Sequence, residues 1–492
     1  MVLMHKIKNA KISDFRLSFH IQCSIIIVDK FLLRRGSYVC TDLNSRYGGE
    51  KMAFSKTLAE MEQNVPDSDA RKKLNALFDE DSFNELDKFL SADGAVGSVV
   101  SGYGTVNGAT VYAYAQDVSV KGGAVDKSAA LKIKKLYELA AKNGAPVVAV
   151  FDSKGGDINE GMEVLADYGD IIKASAAISG VVPQIAVITG VCAGAAAVIA
   201  SMADVTIMTE KAELFLNAPF NTPDGKLEGA GKAANAAKSG VADILAKDDA
   251  EAIAKAKKLA AILPANNISL AGNDDFAEND AAVSASMKGA DLVAALADKN
   301  STVELGAEFG TAAYTAFASV NWATVAFVAT DKAAKLTAAD CAKIARFVQL
   351  ADVFSIPVVT VVNTEGFEAS SAAELAGSVR DAAKLAQVYA SATTTKINLI
   401  TGKAIGAAYA AFDSADISYA WEKAVIAPMS PEAVKVFMGE EVDATPFKAA
   451  SLGMIDGVIA AEDTKQAVAS AVDLCSSKRV AAPTRKHVNF VF

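Results

Sequence analysis

The chain repeats itself at long range, and that repetition limits what it can fold into more than any other feature. Lys132-Ile133, Leu139-Ala140 and Pro146 return as Lys343-Ile344, Leu350-Ala351 and Pro357, each 211 residues further on. Gly190, Gly194, Asp204 and Glu210-Lys211-Ala212 return as Gly402, Gly406, Asp416 and Glu422-Lys423-Ala424, each 212 further on. So long a period is not that of a solenoid, whose repeats run to about 20–50 residues. It is that of a duplicated domain. The polar stretch Asn266 to Asn279 reads as the connector. The expected division is an N-terminal domain over 52–265, a linker over 266–288 and a C-terminal domain over 289–492.

Local patterns say what each copy is made of. Val147 to Phe151 is a short unbroken apolar run, as in a strand covered on both faces. A Gly-rich turn, Ser153 to Asp157, follows, then a helix to about Ser179 and a strand over Pro183 to Thr189. Gly190 to Asp204 is expected to turn directly into a buried, Ala-rich helix. Upstream, Gly102 to Val118 alternates large and small residues around Asn107-Gly108, a hairpin signal. Strands alternating with helices predict an α/β fold.

Side-chain chemistry is sparse. Beyond residue 51 the only histidine is His487, so the base that a Ser or Cys triad needs is missing. No GxxxxGK[ST] loop is present and the turn at Ser153 lacks GxGxxG spacing. Cys192, between Val191 and Ala193, reads as a buried thiol rather than a nucleophile. Asp204 and Asp416 suit a helix-end or packing role at least as well as an acid–base one. What remains is backbone. Gly194-Ala195 and Gly406-Ala407 each stand where a strand runs into a helix, and N–H groups there can hold an oxyanion. Gly155-Gly156 could add a donor from the neighbouring turn. The bland alternative, that small residues only let helix pack on sheet, holds for one copy as well as function does; two copies favour function.

The net charge of -10 argues against a nucleic-acid partner. Five cysteines without a CxxC suit a reducing cytosol and argue against a zinc site. No run approaches the ~20 apolar residues of a membrane span. Residues 1–51 stand apart, with 9 Lys/Arg against 4 Asp/Glu, where the remainder has 39 against 54. They end in Gly48-Gly49-Glu50-Lys51 before Met52, a sequence that purine-rich bases of a ribosome-binding site would encode. They read as a translated leader, the alternative being a genuine N-terminal arm; intact mass decides between them.

At these same residues the chain resembles the carboxyltransferase subunits of biotin-dependent acyl-CoA carboxylases and decarboxylases, of the propionyl-CoA carboxylase beta and methylmalonyl-CoA decarboxylase alpha type. The resemblance covers nearly all of Met52 to Phe492. Its first-half carriers include Asp81 to Leu86, Gly102 to Val106, Gln116-Asp117, Gly122-Gly123, Asp152-Ser153, Glu160-Gly161, Pro183 to Ile185 and Cys192-Ala193-Gly194. The second half adds Phe354 to Pro357, Glu365 to Phe367, Glu374, Gly377, Arg380, Lys403-Ala404, Gly406 to Tyr409, Ala420-Trp421 and Arg485-Lys486-His487.

The resemblance implies two tandem crotonase-like domains that move a carboxyl group between biotin, carried on a separate protein, and the α-carbon of a short-chain acyl-CoA. It implies that Gly194 and Ala195 serve the acyl-CoA and that Gly406 and Ala407 serve the biotin. Gly155, Gly156, Cys192, Ala193, Tyr409 and Ala410 would line the substrates, with no metal. It further implies a biotin carboxyl carrier protein and a biotin carboxylase or membrane decarboxylase subunit as partners. The chain itself would be a homo-oligomer, dimer or hexamer, in the cytoplasm, held at a membrane only through partner subunits. The chain departs from the family where Lys154 and Asp157 stand in a turn that usually reads Ser-Gly-Gly-Ala-Arg, at Ala124, and at Ala410. The departures around Asp157 and Ala124 leave open a non-catalytic CoA-binding or scaffold paralogue. A stand-alone crotonase-type hydratase or hydrolase is a third reading, against which the duplication and the lack of an obvious acidic pair in the turns count.

Overall fold

A computed structural model describes residues 58–63, 65–91, 96–217, 229, 231–269, 276–480, 484 and 488–489. The leader reading of 1–51, residues 270–275 of the expected connector and the motif Arg485-Lys486-His487 lie outside them. The chain divides into two units, 1–62 and 63–492. In the first, the described residues form one short helix, α1 (Leu58–Glu62).

The second unit holds two sheets. The first has β1 (Asn84–Leu86), β2 (Val99–Val106), β3 (Ala109–Gln116), β4 (Val147–Phe151), β5 (Gln184–Ile188), β7 (Val205–Thr209) and β9 (Ile244–Ala246), in that order. β6 (Val191–Ala193) and β8 (Glu213–Phe215) pair apart from it. The second sheet runs β10 (Val303–Glu304), β11 (Tyr314–Val320), β12 (Ala323–Ala329), β13 (Val358–Thr364), β14 (Lys396–Ile405), β15 (Ile417–Trp421), β17 (Gly457–Ile459), with β16 (Val425–Ala427) on the end of β14. In both sheets the first three strands are antiparallel and the rest parallel.

In the first half the helices are α2 (Asp69–Leu77), α3 (Lys127–Asn143), α4 (Glu163–Ile178), α5 (Ala195–Ser201), α6 (Ala233–Lys238) and α7 (Asp249–Ile262). Then come α8 (Gly289–Leu296), α9 (Ala338–Val353), α10 (Ser371–Ala376), α11 (Ser378–Ser391), α12 (Gly406–Phe412), α13 (Pro431–Met438), α14 (Pro446–Ser451) and α15 (Thr464–Leu474). Their ends are written locally. The Asp126 carboxylate accepts the Ala129 N–H to start α3, and Gly144, at φ 62°, ends it. Thr337 and Asp340 form a capping box on α9.

One apolar core joins the halves. Ile253, Leu259 and Ile262 of α7 belong to the same buried cluster as Phe317 of β11 and Phe347 of α9, whose rings lie 4.8 Å apart. Each such side chain, taken from water, contributes about 1.5–3 kcal/mol. The Gly306 N–H donates to the Asp243 carbonyl at 2.8 Å, and the Thr324 hydroxyl to the Ile262 carbonyl at 2.6 Å, so the seam is hydrogen-bonded as well as apolar.

Candidate functional site: two matching strand-to-helix corners

The first corner differs from its sequence reading in one respect. Beyond Gly190 the chain does not turn at once; it adds the short strand β6, because β8 offers it a parallel edge from twenty residues downstream. Gly190 has no room for a side chain, since a Cβ there would lie 1.9 Å from an Asp152 carboxylate oxygen. Gly194, at φ 61°, then swings the backbone into α5. Its own N–H is spent on the Phe215 carbonyl at 3.0 Å. The first bond inside the helix runs from the Val198 N–H to the Gly194 carbonyl at 3.2 Å. Ala195, the first residue of the helix, therefore carries an N–H with no acceptor inside it. Of the two expected donors, Ala195 is the available one and Gly194 shapes the turn.

The neighbouring turn follows β4. Gly155 holds φ 116° and donates its N–H to the Ser153 hydroxyl at 3.0 Å, which returns a bond to the Gly155 carbonyl at 3.1 Å. Val125 braces both sides, donating to the Gly155 carbonyl at 2.9 Å and accepting from the Asp157 N–H at 2.8 Å. The Gly156 N–H, between these, has no partner among the described residues. A Cβ on Gly155 would meet nothing within 4 Å, so the space above the turn is open. The Ser153 N–H reaches the Val191 carbonyl of β6 at 2.7 Å and ties the turn to the corner.

The second half reproduces the hydrogen bonds of this turn. Gly366, 211 residues after Gly155, holds φ 120° and donates to the Thr364 hydroxyl at 3.2 Å. Leu336 takes the part of Val125: its N–H reaches the Gly366 carbonyl at 3.0 Å and its carbonyl accepts from Glu368 at 2.8 Å. Between them the Phe367 N–H, like that of Gly156, has no partner among the described residues. A Cβ on Gly402 would lie 2.3 Å from the Asn363 side-chain oxygen. Gly406 holds φ 62°, and Ile405 pairs with Ala427 as Ala193 pairs with Phe215. Ala407 stands in the first turn of α12, where N–H groups lack acceptors within the helix.

The remaining expected residues divide. Cys192 is fully buried and desolvation pushes its thiol far above the usual range, so it packs and does not react. Ala193 is half-buried beside it. Tyr409 is buried in the core, and burial raises its phenol. Ala410, one residue on, is exposed. Among the family departures, Asp157 is neutralised inside its own turn: its carboxylate accepts the Asn159 N–H at 3.0 Å and meets Lys121 at 3.3 Å. Asp204 accepts the Gln184 N–H at 2.8 Å and Asp416 the Lys396 N–H at 2.8 Å, so both pin the start of a strand. Phe367 entered the sequence reading only as a carrier of the resemblance, not as a backbone donor, although its offset of 211 from Gly156 marks it as one. Among the described residues no hydrogen bond or ion pair links the first corner to the second, and no His/Cys/Asp/Glu group could hold a metal.

Two corners, each combining a glycine at positive φ, a helix start and a turn N–H without a partner among the described residues, offer backbone donors of the kind that can hold an oxyanion. The chain belongs to the carboxyl transferase domain family, whose model matches residues 68–444. The 12S subunit of methylmalonyl-CoA carboxyltransferase from Propionibacterium freudenreichii subsp. shermanii is 35% identical over 86% of this chain and 91% of its own length. The alpha subunit of methylmalonyl-CoA decarboxylase from Propionigenium modestum is 33% identical over 85% and 92%. The propionyl-CoA carboxylase beta chain of Roseobacter denitrificans is 33% identical over 85% and 93%. A transcarboxylase 12S crystal structure, a hexamer with hydrolysed methylmalonyl-coenzyme A bound, superposes with a TM-score of 0.79 at 34% identity over 88% of this chain and 94% of that one. The fold is thus the crotonase-like carboxyltransferase fold, and the activity class is acyl-CoA carboxyltransferase.

Proposed function

We propose that this chain moves a carboxyl group between biotin on a partner carrier protein and the α-carbon of a short-chain acyl-CoA, of the propionyl/methylmalonyl or acetyl/malonyl type. The observation that carries this reading is the second corner: an enzyme handling one thioester needs one such corner, and this chain has two. Ala195 and Gly156 hold the thioester oxygen and stabilise the enolate that forms when the α-carbon gains or loses its carboxyl group. Ala407 and Phe367 hold the ureido oxygen, whose dipole suits a pair of backbone donors. Biotin, when bound, supplies the nitrogen that carries the carboxyl group and a site for the substrate proton, so this reading calls for no side-chain base. A Cβ at Gly155 would meet nothing within 4 Å and one at Gly366 only the Ile405 carbonyl oxygen at 4.0 Å, so neither turn is covered by the chain itself. Residues 52–265 form the acyl-CoA domain, 266–288 the linker and 289–492 the biotin domain. Lining residues at the biotin corner include Ala410, where acyl-chain specificity would be tested first.

Both corners have exposed apolar side chains beside them. Ile158, Met162 and Leu165 follow the first and are 72–87% exposed, and Leu375 and Val379 follow the second at 89% and 65%. A second copy set first half against second half covers them and completes the site, so the working form is a homo-oligomer, a dimer or a hexamer. A biotin carboxylase or a membrane decarboxylase subunit completes the cycle. Among the described residues no helix is long and apolar enough to cross a membrane.

The test is isotope exchange between labelled malonyl- or methylmalonyl-CoA and free biotin. Label passing into carboxybiotin is expected with one of the two. No exchange with either, from a folded oligomer, favours the non-catalytic paralogue and ends this reading.

A further inference from the structure

The tip of the hairpin between β11 and β12 carries a feature that carboxyl transfer does not use. Val320 pairs with Ala323, so the loop is the two residues Asn321-Trp322, at φ 49° and 65°. The matching hairpin of the first half closes with Val106 against Ala109 over Asn107-Gly108, at φ 49° and 78°. Such a turn favours glycine at its second position, and a bulky residue there is strained. The strain at Trp322 is not repaid by burial, because the residue is 70% exposed. Nor is the tip loose. The buried Asp298 carboxylate accepts the Ser319 hydroxyl at 2.6 Å and the Trp322 N–H at 3.3 Å.

Trp322 overhangs a groove of about 850 Å³ between the hairpin and α15, lined also by Glu278, Glu462, Lys465 and Asp473. Its exposed charges are acidic. Lys465, the only cation among the lining residues, is already hydrogen-bonded to the Asn279 carbonyl. The groove follows the eleven-residue helix α15, roughly 16 Å at 1.5 Å per residue. That length takes an extended segment of about five residues. An indole face among carboxylates attracts Lys and Arg side chains by cation–π and charge together. A second copy is the poorer occupant, since residues 52–492 are themselves strongly acidic, with 54 Asp/Glu against 39 Lys/Arg.

We propose that the Trp322–α15 groove is a docking site for a short, extended, lysine- or arginine-rich segment of a partner protein. It lies at the tip of the β11–β12 hairpin and makes no use of the oxyanion corners, so it stands or falls independently of the transfer reaction.

Tryptophan emission and calorimetry test it directly on the full chain, with capped octalysine as probe and octaglutamate as control. Trp421, the chain's other tryptophan, is buried and donates to the Thr464 hydroxyl at 2.9 Å, so Trp322 dominates any solvent-sensitive change. Octalysine should shift the emission saturably and octaglutamate should not. E462Q/D473N should weaken binding at least ~10-fold, and salt near 0.5 M should weaken it further by screening. W322G should weaken calorimetric binding of octalysine at least tenfold while melting no lower than the parent, since glycine relieves the turn. Equal octalysine binding by W322G, or no saturable binding by the parent, overturns the proposal. A lower melting temperature for W322G assigns the indole to structure instead, and dissociation of the native oligomer in that variant assigns the face to a second copy; either result also overturns it.

Discussion

Proline separates donor from scaffold at the corners. Ala195 is the first residue of α5, where proline is tolerated because the N–H it removes has no helical acceptor. Ala195→Pro should lower isotope exchange by ~10²–10³, the usual worth of one oxyanion donor, with circular dichroism and melting temperature near the parent's. Ala407→Pro should do the same at the second corner. Unchanged exchange in both would remove the backbone donors from the mechanism. Gly190→Ala and Gly402→Ala act differently, forcing a Cβ to 1.9 Å from Asp152 and 2.3 Å from Asn363. Each should cost about 1–3 kcal/mol in denaturant unfolding. Both corners were legible in the sequence because Gly-Ala recurs at a fixed offset. The available donor at the first corner was not, because the Gly194 N–H is claimed by Phe215, a residue that no local pattern brings near. The donor role proposed for Phe367 was hidden for the opposite reason: it rests on the main chain alone, and the side chain suggests packing.

At the scale of elements, the strands and helices around the corners were readable from apolar runs, and the Asn107-Gly108 hairpin from its turn residues. β6 was not, since three residues hold a strand only where another edge waits for them. The repeated aspartates turn out to fasten strand starts, and this has a pH signature. Desolvation lifts the Asp204 carboxyl to about 6, against the Gln184 N–H and Arg346, which favour its charged form, while Asp243 adds to the rise. The unfolded value is about 3.9, so the folded chain binds the proton more tightly. Above pH 6 the buried charge therefore costs stability, and the cost fades as the pH falls from about 6 towards 3.9. Its ceiling is about 3 kcal/mol for two pKa units. Asp204→Asn can still accept the Gln184 N–H. Relative to that variant, the parent should gain stability between pH 7 and pH 4.5 in urea titrations; parallel curves would show that Asp204 does not titrate in the fold.

For the whole molecule, duplication and assembly are one question. Each half carries one corner, and within one chain no hydrogen bond or ion pair among the described residues links the two. A carboxyl group must nevertheless pass from one bound partner to the other over a few ångströms. The exposed apolar residues beside each corner resolve this if one copy's first half faces another's second half. Met162 and Leu165 are 86% and 72% exposed in the chain, so polar replacements there should leave the subunit's own fold within about ±0.5 kcal/mol. Placed in the oligomer, Met162→Lys with Leu165→Glu would bury two charges against an apolar surface, a cost of several kcal/mol per ion. Sedimentation should then report smaller species with the parent's melting profile at low concentration, and isotope exchange should fall with the loss of assembly rather than with loss of fold. Mixing this variant with Ala407→Pro subunits adds a sharper readout. If sites form between copies, the two defects fall on different faces, and mixed oligomers recover part of the exchange that neither variant has alone. No recovery on mixing, from subunits shown to co-assemble, would place both corners' work within a single chain.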